Sequence, residues 1–238
     1  MSFYSLAIAI QTAVAAWLLL GQPFYGRLKY ETLKYRAPRD PRARTRSYLA
    51  TILTEWGLVA LACLGLYLDK TPTGSIGLKP PVGVAASVTW WLTAAAVAGA
   101  IAITIQMLRR ADLRAAYREG MGHISHLLPD TGGERALFAA VAATAGFCEE
   151  VLFRGFLPLY FVTVLPTLPF WAALLLAAVS FGVGHWYQGR RGIIQTGLLG
   201  LALAAFYFAT GSLYGAMALH AIVDLIALAL SWVVKTRP

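Results

Sequence analysis

The chain has 238 residues, of which 58% are hydrophobic and 13% charged, and its formal net charge is +9. Because about a quarter of the residues of a soluble domain are charged, this composition excludes an ordinary soluble domain and indicates a protein of the lipid bilayer. The positive charge does not indicate a nucleic-acid partner, since the basic residues stand in short segments between apolar runs, as the positive-inside rule produces.

Seven apolar runs are each long enough for a membrane-spanning helix, which needs about 17 to 25 residues. These runs cover roughly 3–21, 47–68, 84–108, 136–157, 168–187, 192–209 and 213–234. We therefore predict an all-α fold, a polytopic transmembrane helix bundle with about seven spans (about six to eight). The runs extend almost from end to end, so we predict one membrane domain over 1–238, with N-terminal spans in 1–110 and the core spans in 134–234.

The most basic part of the chain lies between the first two predicted spans, from Arg27 to Arg46. We interpret it as a cytoplasmic linker, because short loops rich in Lys and Arg stay on the cytoplasmic side. Threading the spans from this linker places the N-terminus outside and the C-terminus in the cytoplasm, so we expect a multi-pass protein of the cell (inner) membrane. The polar segment near 109–130 is predicted to form an interfacial helix followed by a turn.

Ionisable side chains inside the spans are the candidates for function, since a charge near the bilayer centre costs at least about 2.5 kcal/mol. In the second half of the chain these residues are Glu149, Glu150, Arg154, His185, His220 and Asp224. In the first half, Glu55 stands near the cytoplasmic end of its span, and we expect its carboxylate to reach the membrane interface.

Two adjacent glutamates and an arginine occupy the fourth predicted span. Glu150 and Arg154 are four residues apart, so they lie on one face of a helix and can form an ion pair. Glu149 points about 100° away from Glu150 around the helix axis. We therefore predict that Arg154 neutralises one carboxylate and leaves Glu149 to face another partner. The alternative is that both glutamates only hold the bundle together through arginines.

Two later spans carry histidines at a similar spacing. His220 and Asp224 share a helix face, so Asp224 can fix the tautomer and orientation of the imidazole. His185 follows Phe181 by four residues, and the phenyl ring can pack along the same face. In straight helices His185 would lie roughly 10 Å nearer the cytoplasm than Glu149 and His220. Tilted or broken helices must close this gap, and we expect irregular backbone in the Pro- and Gly-containing stretches between these spans.

A glutamate, two histidines and an aspartate are sufficient to hydrolyse a peptide bond without a covalent intermediate. Glu149 can act as general base on a water molecule, while the histidines and Asp224 orient the water and donate hydrogen bonds to a developing oxyanion. Two histidines and a carboxylate are also the ligand set of a catalytic zinc. The sequence does not select zinc, because the HExxH spacing is absent.

In their order and spacing, these residues resemble the three motifs of the CPBP, or Abi, intramembrane proteases. That family includes the type II CAAX prenyl endopeptidases, also called Ras-converting enzymes. Each motif is weak alone, but three in order, each inside a predicted span of the C-terminal half, form a specific pattern. The motifs read Glu149-Glu150-xxx-Arg154, Phe181-xxx-His185 and His220-xxx-Asp224.

The resemblance implies an intramembrane endopeptidase that cuts a membrane-embedded or membrane-tethered protein or peptide. It implies that Glu149 is the catalytic base and works with His185 on the water, and that Glu150 and Arg154 are the supporting pair. It favours a mechanism that depends on glutamate and needs no cofactor, with zinc as the alternative.

The last motif departs from the family at one position. The family often has asparagine where this chain has Asp224, and by resemblance His220 and the residue at 224 stabilise the oxyanion. Asparagine can donate a hydrogen bond, whereas an ionised aspartate cannot. Asp224 is therefore protonated, or orients His220, or helps to bind a cation.

Two other classes of function remain open at this stage. The charged residues of the spans could form the path of a proton- or ion-coupled transporter. The chain could also be a non-catalytic immunity or scaffold protein of the membrane, since membership of a family does not prove hydrolysis.

Overall fold

The computed structural model describes the backbone of residues 3–236 and the side chains of residues 4–122 and 124–232. All regular secondary structure in this part of the chain is helical, which confirms the predicted all-α class. In chain order the helices are α1 (Phe3–Ala16), α2 (Gln22–Arg36), α3 (Ala43–Leu68), α4 (Val84–Arg109), α5 (Ala111–Met121), α6 (Gly132–Glu150), α7 (Leu157–Val164), α8 (Phe170–Gly184), α9 (Gly189–Thr210) and α10 (Leu213–Thr236).

Short segments of other helix types join some of these helices. A π-helical segment, Trp17–Gly21, makes α1 and α2 continuous, and a second, Val151–Phe156, does the same for α6 and α7. Single 3₁₀ segments lie at Thr73–Ile76, Gly122–Leu127 and Trp186–Gln188.

The membrane spans agree with the apolar runs of the sequence. Within the described residues, six helical stretches are long and apolar enough to cross a membrane, and α8 is an apolar helix of only 15 residues. Each of the seven predicted runs coincides with one of these helices, so the polytopic bundle is confirmed. The six long stretches are Tyr4–Arg36, Ala43–Leu68, Val84–Arg109, Gly132–Val164, Trp186–Thr210 and Leu213–Trp232.

The predicted linker from Arg27 to Arg46 is wrong at both ends, because its first ten residues belong to α2 and its last four to α3. Residues 27–36 continue α2, and the turn between α2 and α3 covers only residues 37–42. Lys and Arg are good helix formers, and α2 buries Tyr30 and Leu33 against the rest of the bundle. The basic composition therefore did not indicate the end of the helix.

The polar segment near 109–130 is helical, as predicted, and packs onto the bundle at two places. α5 lies against α10, where the Tyr117 hydroxyl donates to the Ala227 carbonyl at 3.4 Å. The 3₁₀ segment is held on α3, because Arg44 Nε donates to the His126 carbonyl at 3.0 Å and the Tyr48 hydroxyl donates to the Leu127 carbonyl. This segment therefore forms a wall of the bundle.

The most deeply buried part of the bundle is the junction of α6 with the second π-helical segment. Every residue of Val151–Phe156 is buried. A π-helical segment inside an α-helix re-aims the side chains around it, and such segments are frequent at functional sites. The irregular backbone expected between these spans is found as a turn at 165–169 before α8, whereas this π-helical segment lies inside the predicted fourth span.

Gly146 lies where α10 crosses α6. A Cβ atom at this position would stand 2.8 Å from the Ala221 Cβ and 2.9 Å from the Ala221 backbone nitrogen, so only glycine permits so close a crossing. Gly146 is one helical turn before Glu149 and Glu150, and Ala221 directly follows His220. The close crossing therefore brings the paired glutamates next to His220.

Candidate active site

Glu150 and Arg154 form the ion pair that their spacing predicted. Glu150 is fully buried and Arg154 is 1% exposed, and Arg154 Nη1 donates to Glu150 Oε1 at 2.7 Å. Arg154 Nη2 also donates to the Gly200 carbonyl of α9 at 3.3 Å, and the guanidinium stands 4.4 Å from the centre of the Phe181 ring. A buried charge needs such partners, and here they tie three helical segments together.

Glu149 points away from this pair and into a cavity. Its Oε2 lies 3.5 Å from His220 Nε2, and no Lys or Arg nitrogen of the described chain lies within ion-pair distance of it. The division between a neutralised and an available carboxylate, predicted from helix geometry, therefore holds in the folded chain.

His220 lies between the two glutamates. Its Nδ1 donates to Glu150 Oε1 at 2.7 Å, so Glu150 accepts from both Arg154 and His220. Since an ionised, arginine-paired carboxylate can only accept, Nδ1 carries a proton. Nε2 is then the ring atom that faces Glu149 and the cavity.

The expectation that Asp224 orients His220 is wrong. Neither imidazole nitrogen lies within 4.0 Å of an Asp224 oxygen in the structure, and the orienting carboxylate is Glu150. The close crossing of α6 and α10 explains the difference, because it places a carboxylate of the neighbouring helix nearer to Nδ1 than the residue four positions along the same helix. Asp224 instead lines the cavity that also contains Glu149 and His220.

Phe181 is the packing centre of the site. Its ring centroid lies 4.8 Å from that of His185 and 5.8 Å from that of His220, in addition to its contact with Arg154. The Phe181 carbonyl accepts a hydrogen bond from His185 Nδ1 at 2.8 Å. This bond fixes the tautomer of His185 and leaves its Nε2 for the cavity.

The expected offset does not separate His185 from the other candidates. α8 begins at Phe170, immediately after Pro169, and ends at Gly184, so it is shorter than a full span. The estimate from the sequence assumed full-length straight helices, and that assumption is wrong for α8. His185 lines the same cavity as Glu149 and His220.

The cavity has a volume of about 320 Å³. Its polar wall carries Glu149, His185, His220 and Asp224, and aromatic and aliphatic side chains of α2, α3, α6 and the 3₁₀ segment at 122–127 complete it. A mostly apolar cavity with a few convergent polar groups is the usual form of a binding site for an apolar or peptide ligand.

Two further charged residues, Lys29 and Glu55, line this cavity. Neither of them was predicted from the sequence as a site residue. Glu55 does not reach the interface as expected, because its Oε2 is buried without a hydrogen-bond partner. Thr51 and Glu55 stand four residues apart in an apolar span, which was a signal for a polar helix face. Lys29 was not considered as a site residue because it fell within the predicted linker between the first two spans.

The donor atoms of this site do not fit a three-ligand zinc site. Among the described residues, no group of three His, Cys, Asp or Glu side chains is arranged to hold a metal ion. His185 and His220 each use Nδ1 in a hydrogen bond to the protein, so Nε2 is the ring atom that each has left for another partner.

Residues 132–226 match the model of the Rce1-like family, described as type II CAAX prenyl endopeptidase Rce1-like. No curated protein and no solved structure gives a significant match. The matched segment starts at α6, ends within α10 and includes all three motifs. It agrees with the resemblance that the motifs carry, and with a helical bundle of membrane spans. This chain is thus an integral multi-pass membrane protein whose residues 132–226 are similar to the Rce1-like family of type II CAAX prenyl endopeptidases.

Proposed function

We propose that this protease hydrolyses a peptide bond in a membrane-tethered protein or peptide, with Glu149 as the general base on a water molecule. One observation carries the proposal: Arg154 and His220 both bind Glu150, whereas Glu149 faces the cavity without a Lys or Arg partner among the described residues. A general base must be free to accept a proton, and of these two glutamates only Glu149 is free.

His185 completes the group that handles the water. Its Nδ1 is fixed on the Phe181 carbonyl, so Nε2 can accept a hydrogen bond from the water while Glu149 takes the proton. The oxygen then attacks the substrate carbonyl carbon, and the carbonyl oxygen becomes an oxyanion. Glu149 afterwards returns the proton to the nitrogen of the breaking C–N bond, which yields a carboxylate and an amine.

His220 and Asp224 stabilise the oxyanion in this scheme. Because Nδ1 of His220 donates to Glu150, Nε2 is a donor when the ring is doubly protonated, and it points into the cavity beside Glu149. Asp224 lines the same cavity and donates when its carboxyl is protonated. Glu150 and Arg154 contribute by holding the His220 ring in place.

Liposomes that contain the purified chain test this proposal against transport and scaffolding. A library of N-palmitoylated peptides is added, cleavage is followed by mass spectrometry, and proton and cation flux is measured in the same vesicles. We expect cleavage without flux, since the charged groups converge on one cavity of the kind that binds a ligand. Flux without cleavage would indicate a transporter, and neither activity would indicate a scaffold.

Removal of metal ions is expected to leave cleavage unchanged. The mechanism above uses only side chains of this chain and one water molecule, and no step passes through a metal ion. Activity is measured before and after dialysis against a tight zinc chelator, with a known zinc protease in parallel as the positive control. Loss of activity that added zinc restores would contradict the glutamate mechanism.

A further inference from the structure

Lys29 is the basic residue of the cavity. Among the described residues that line the cavity with Glu149, it is the one Lys or Arg. It lies on the face of α2 that also presents Gln22 and Gly26 to the cavity, at helical spacings of four and three residues. A lysine of a membrane span normally extends its amine towards the interface, so a lysine on the wall of a mostly apolar cavity is a candidate for function.

The ammonium group has donors that the protein does not use in an ion pair. Lys29 Nζ donates to Thr51 Oγ1 at 2.5 Å. An ammonium has three N–H donors. No carboxylate oxygen of the described chain lies within 4.0 Å of Nζ, although Glu55, one turn beyond Thr51 on α3, lies near enough for electrostatic attraction. Thr51 therefore positions Lys29 without neutralising it.

Glu55 also lines the cavity, but as an acid it does not provide a positive charge for a ligand. Its Oε2 is shielded from the cavity space and has no hydrogen-bond partner. The remaining carboxylates of the wall, Glu149 and Asp224, belong to the group that activates water and stabilises the oxyanion. Lys29 is thus the basic group of the cavity that the proposed hydrolysis leaves unused.

We propose that Lys29 is a specificity-determining residue that binds a carboxylate of the substrate peptide. The inference rests on the proposed function, because it assumes that a peptide enters the cavity. A carboxylate there forms charge-assisted hydrogen bonds with the N–H groups of Lys29 that Thr51 does not use. Two sources supply this chemistry: the C-terminal carboxylate of the peptide, or the side chain of an acidic residue within it.

Binding of short N-palmitoylated Leu/Ala peptides tests the proposal. Three forms are compared: one with a free C-terminal carboxylate, one with a C-terminal amide, and an amide with one internal glutamate. Dissociation constants are measured with the full chain in nanodiscs in a Glu149→Gln background, so that no form is cut. We expect Lys29→Met to weaken binding of at least one carboxylate-bearing form by roughly 10- to 100-fold, with the neutral amide unchanged.

The form that responds identifies the source of the carboxylate. If Lys29→Met weakens binding of the free acid alone, the carboxylate is that of the C-terminus. If Lys29→Met weakens binding of the glutamate form, the carboxylate is that of a side chain. Lys29→Arg should retain the preference, and Lys34→Met, an exposed position of the same helix, is the matched control. Equal weakening of all three forms, or no weakening, would overturn the role of Lys29. If binding depends on Lys29 but the wild-type protein cuts none of the peptides, the proposed hydrolysis is wrong and the role of Lys29 in binding stands.

Discussion

Replacement of Glu149 by glutamine is expected to lower kcat/KM for a membrane-tethered peptide by roughly 10²- to 10⁴-fold, the usual effect of losing a general base. Glutamine has nearly the same size as glutamate and still accepts a hydrogen bond, but it cannot take the proton of the attacking water. Since Glu149 contacts His220 at 3.5 Å and makes no ion pair with Lys or Arg in the described chain, its replacement leaves the buried Glu150–Arg154 pair intact.

The same substitution at two other glutamates gives the controls. Glu31 lies on the exposed face of α2, where it pairs with Arg27 at 3.2 Å, so the Glu31→Gln variant should cleave like the wild type. Glu55→Gln lies in the cavity wall, and we expect its cleavage to stay within about tenfold of the wild type, because its shielded Oε2 makes no hydrogen bond to either histidine.

Initial rates over a range of peptide concentrations measure the effect, and thermal unfolding in detergent verifies that each variant is folded. Cleavage by Glu149→Gln at more than a tenth of the wild-type rate would contradict its role as base. Loss of cleavage in Glu55→Gln together with full activity of Glu149→Gln would assign the base to Glu55.

Replacement of Arg154 by methionine is expected to lower the free energy of unfolding by about 3–5 kcal/mol, the cost of leaving one partner of a buried ion pair uncompensated. Arg154 is 1% exposed and Glu150 is fully buried, so solvent cannot screen the remaining carboxylate. The change also removes the contact with the Gly200 carbonyl and the stacking on Phe181.

Unfolding in mixed micelles, titrated with SDS and followed by tryptophan fluorescence, measures this loss. Arg27→Met is the matched control, because its ion pair with Glu31 is about half exposed and should contribute about 0–1 kcal/mol. The double variant Glu150→Gln/Arg154→Met should recover part of the loss, since it also removes the unpaired charge. A loss below about 1 kcal/mol in the single variant would show that the pair does not stabilise the bundle.

Local spacing was enough to predict the parts of the protein that depend on one helix at a time. Apolar runs of span length predicted the seven helices because, in a bilayer, only a helix satisfies its own backbone groups. A separation of four residues predicted the pair Glu150–Arg154 and left Glu149 available, because helical geometry alone decides which side chains share a face.

Contacts between helices could not be predicted in the same way. The partner of His220 Nδ1 is Glu150 rather than Asp224, because Gly146 allows α10 to approach α6 closely. The sequence pattern of a single helix does not indicate how closely another helix crosses it. The place of His185 in the cavity likewise depends on how α8 packs against the other helices, which hydropathy does not measure.

By itself, the sequence determined an all-α membrane protein and the order of three motifs that carry its charged residues. Only the tertiary structure decided which of those residues meet, and it added Lys29 and Glu55 to the cavity wall. The physical reason is that burial in lipid is a property of each segment's composition, whereas a site forms where several segments cross. For the glutamates of α6, helix geometry separated their directions, and the crossing of α10 determined that Glu150 holds His220 while Glu149 faces the cavity.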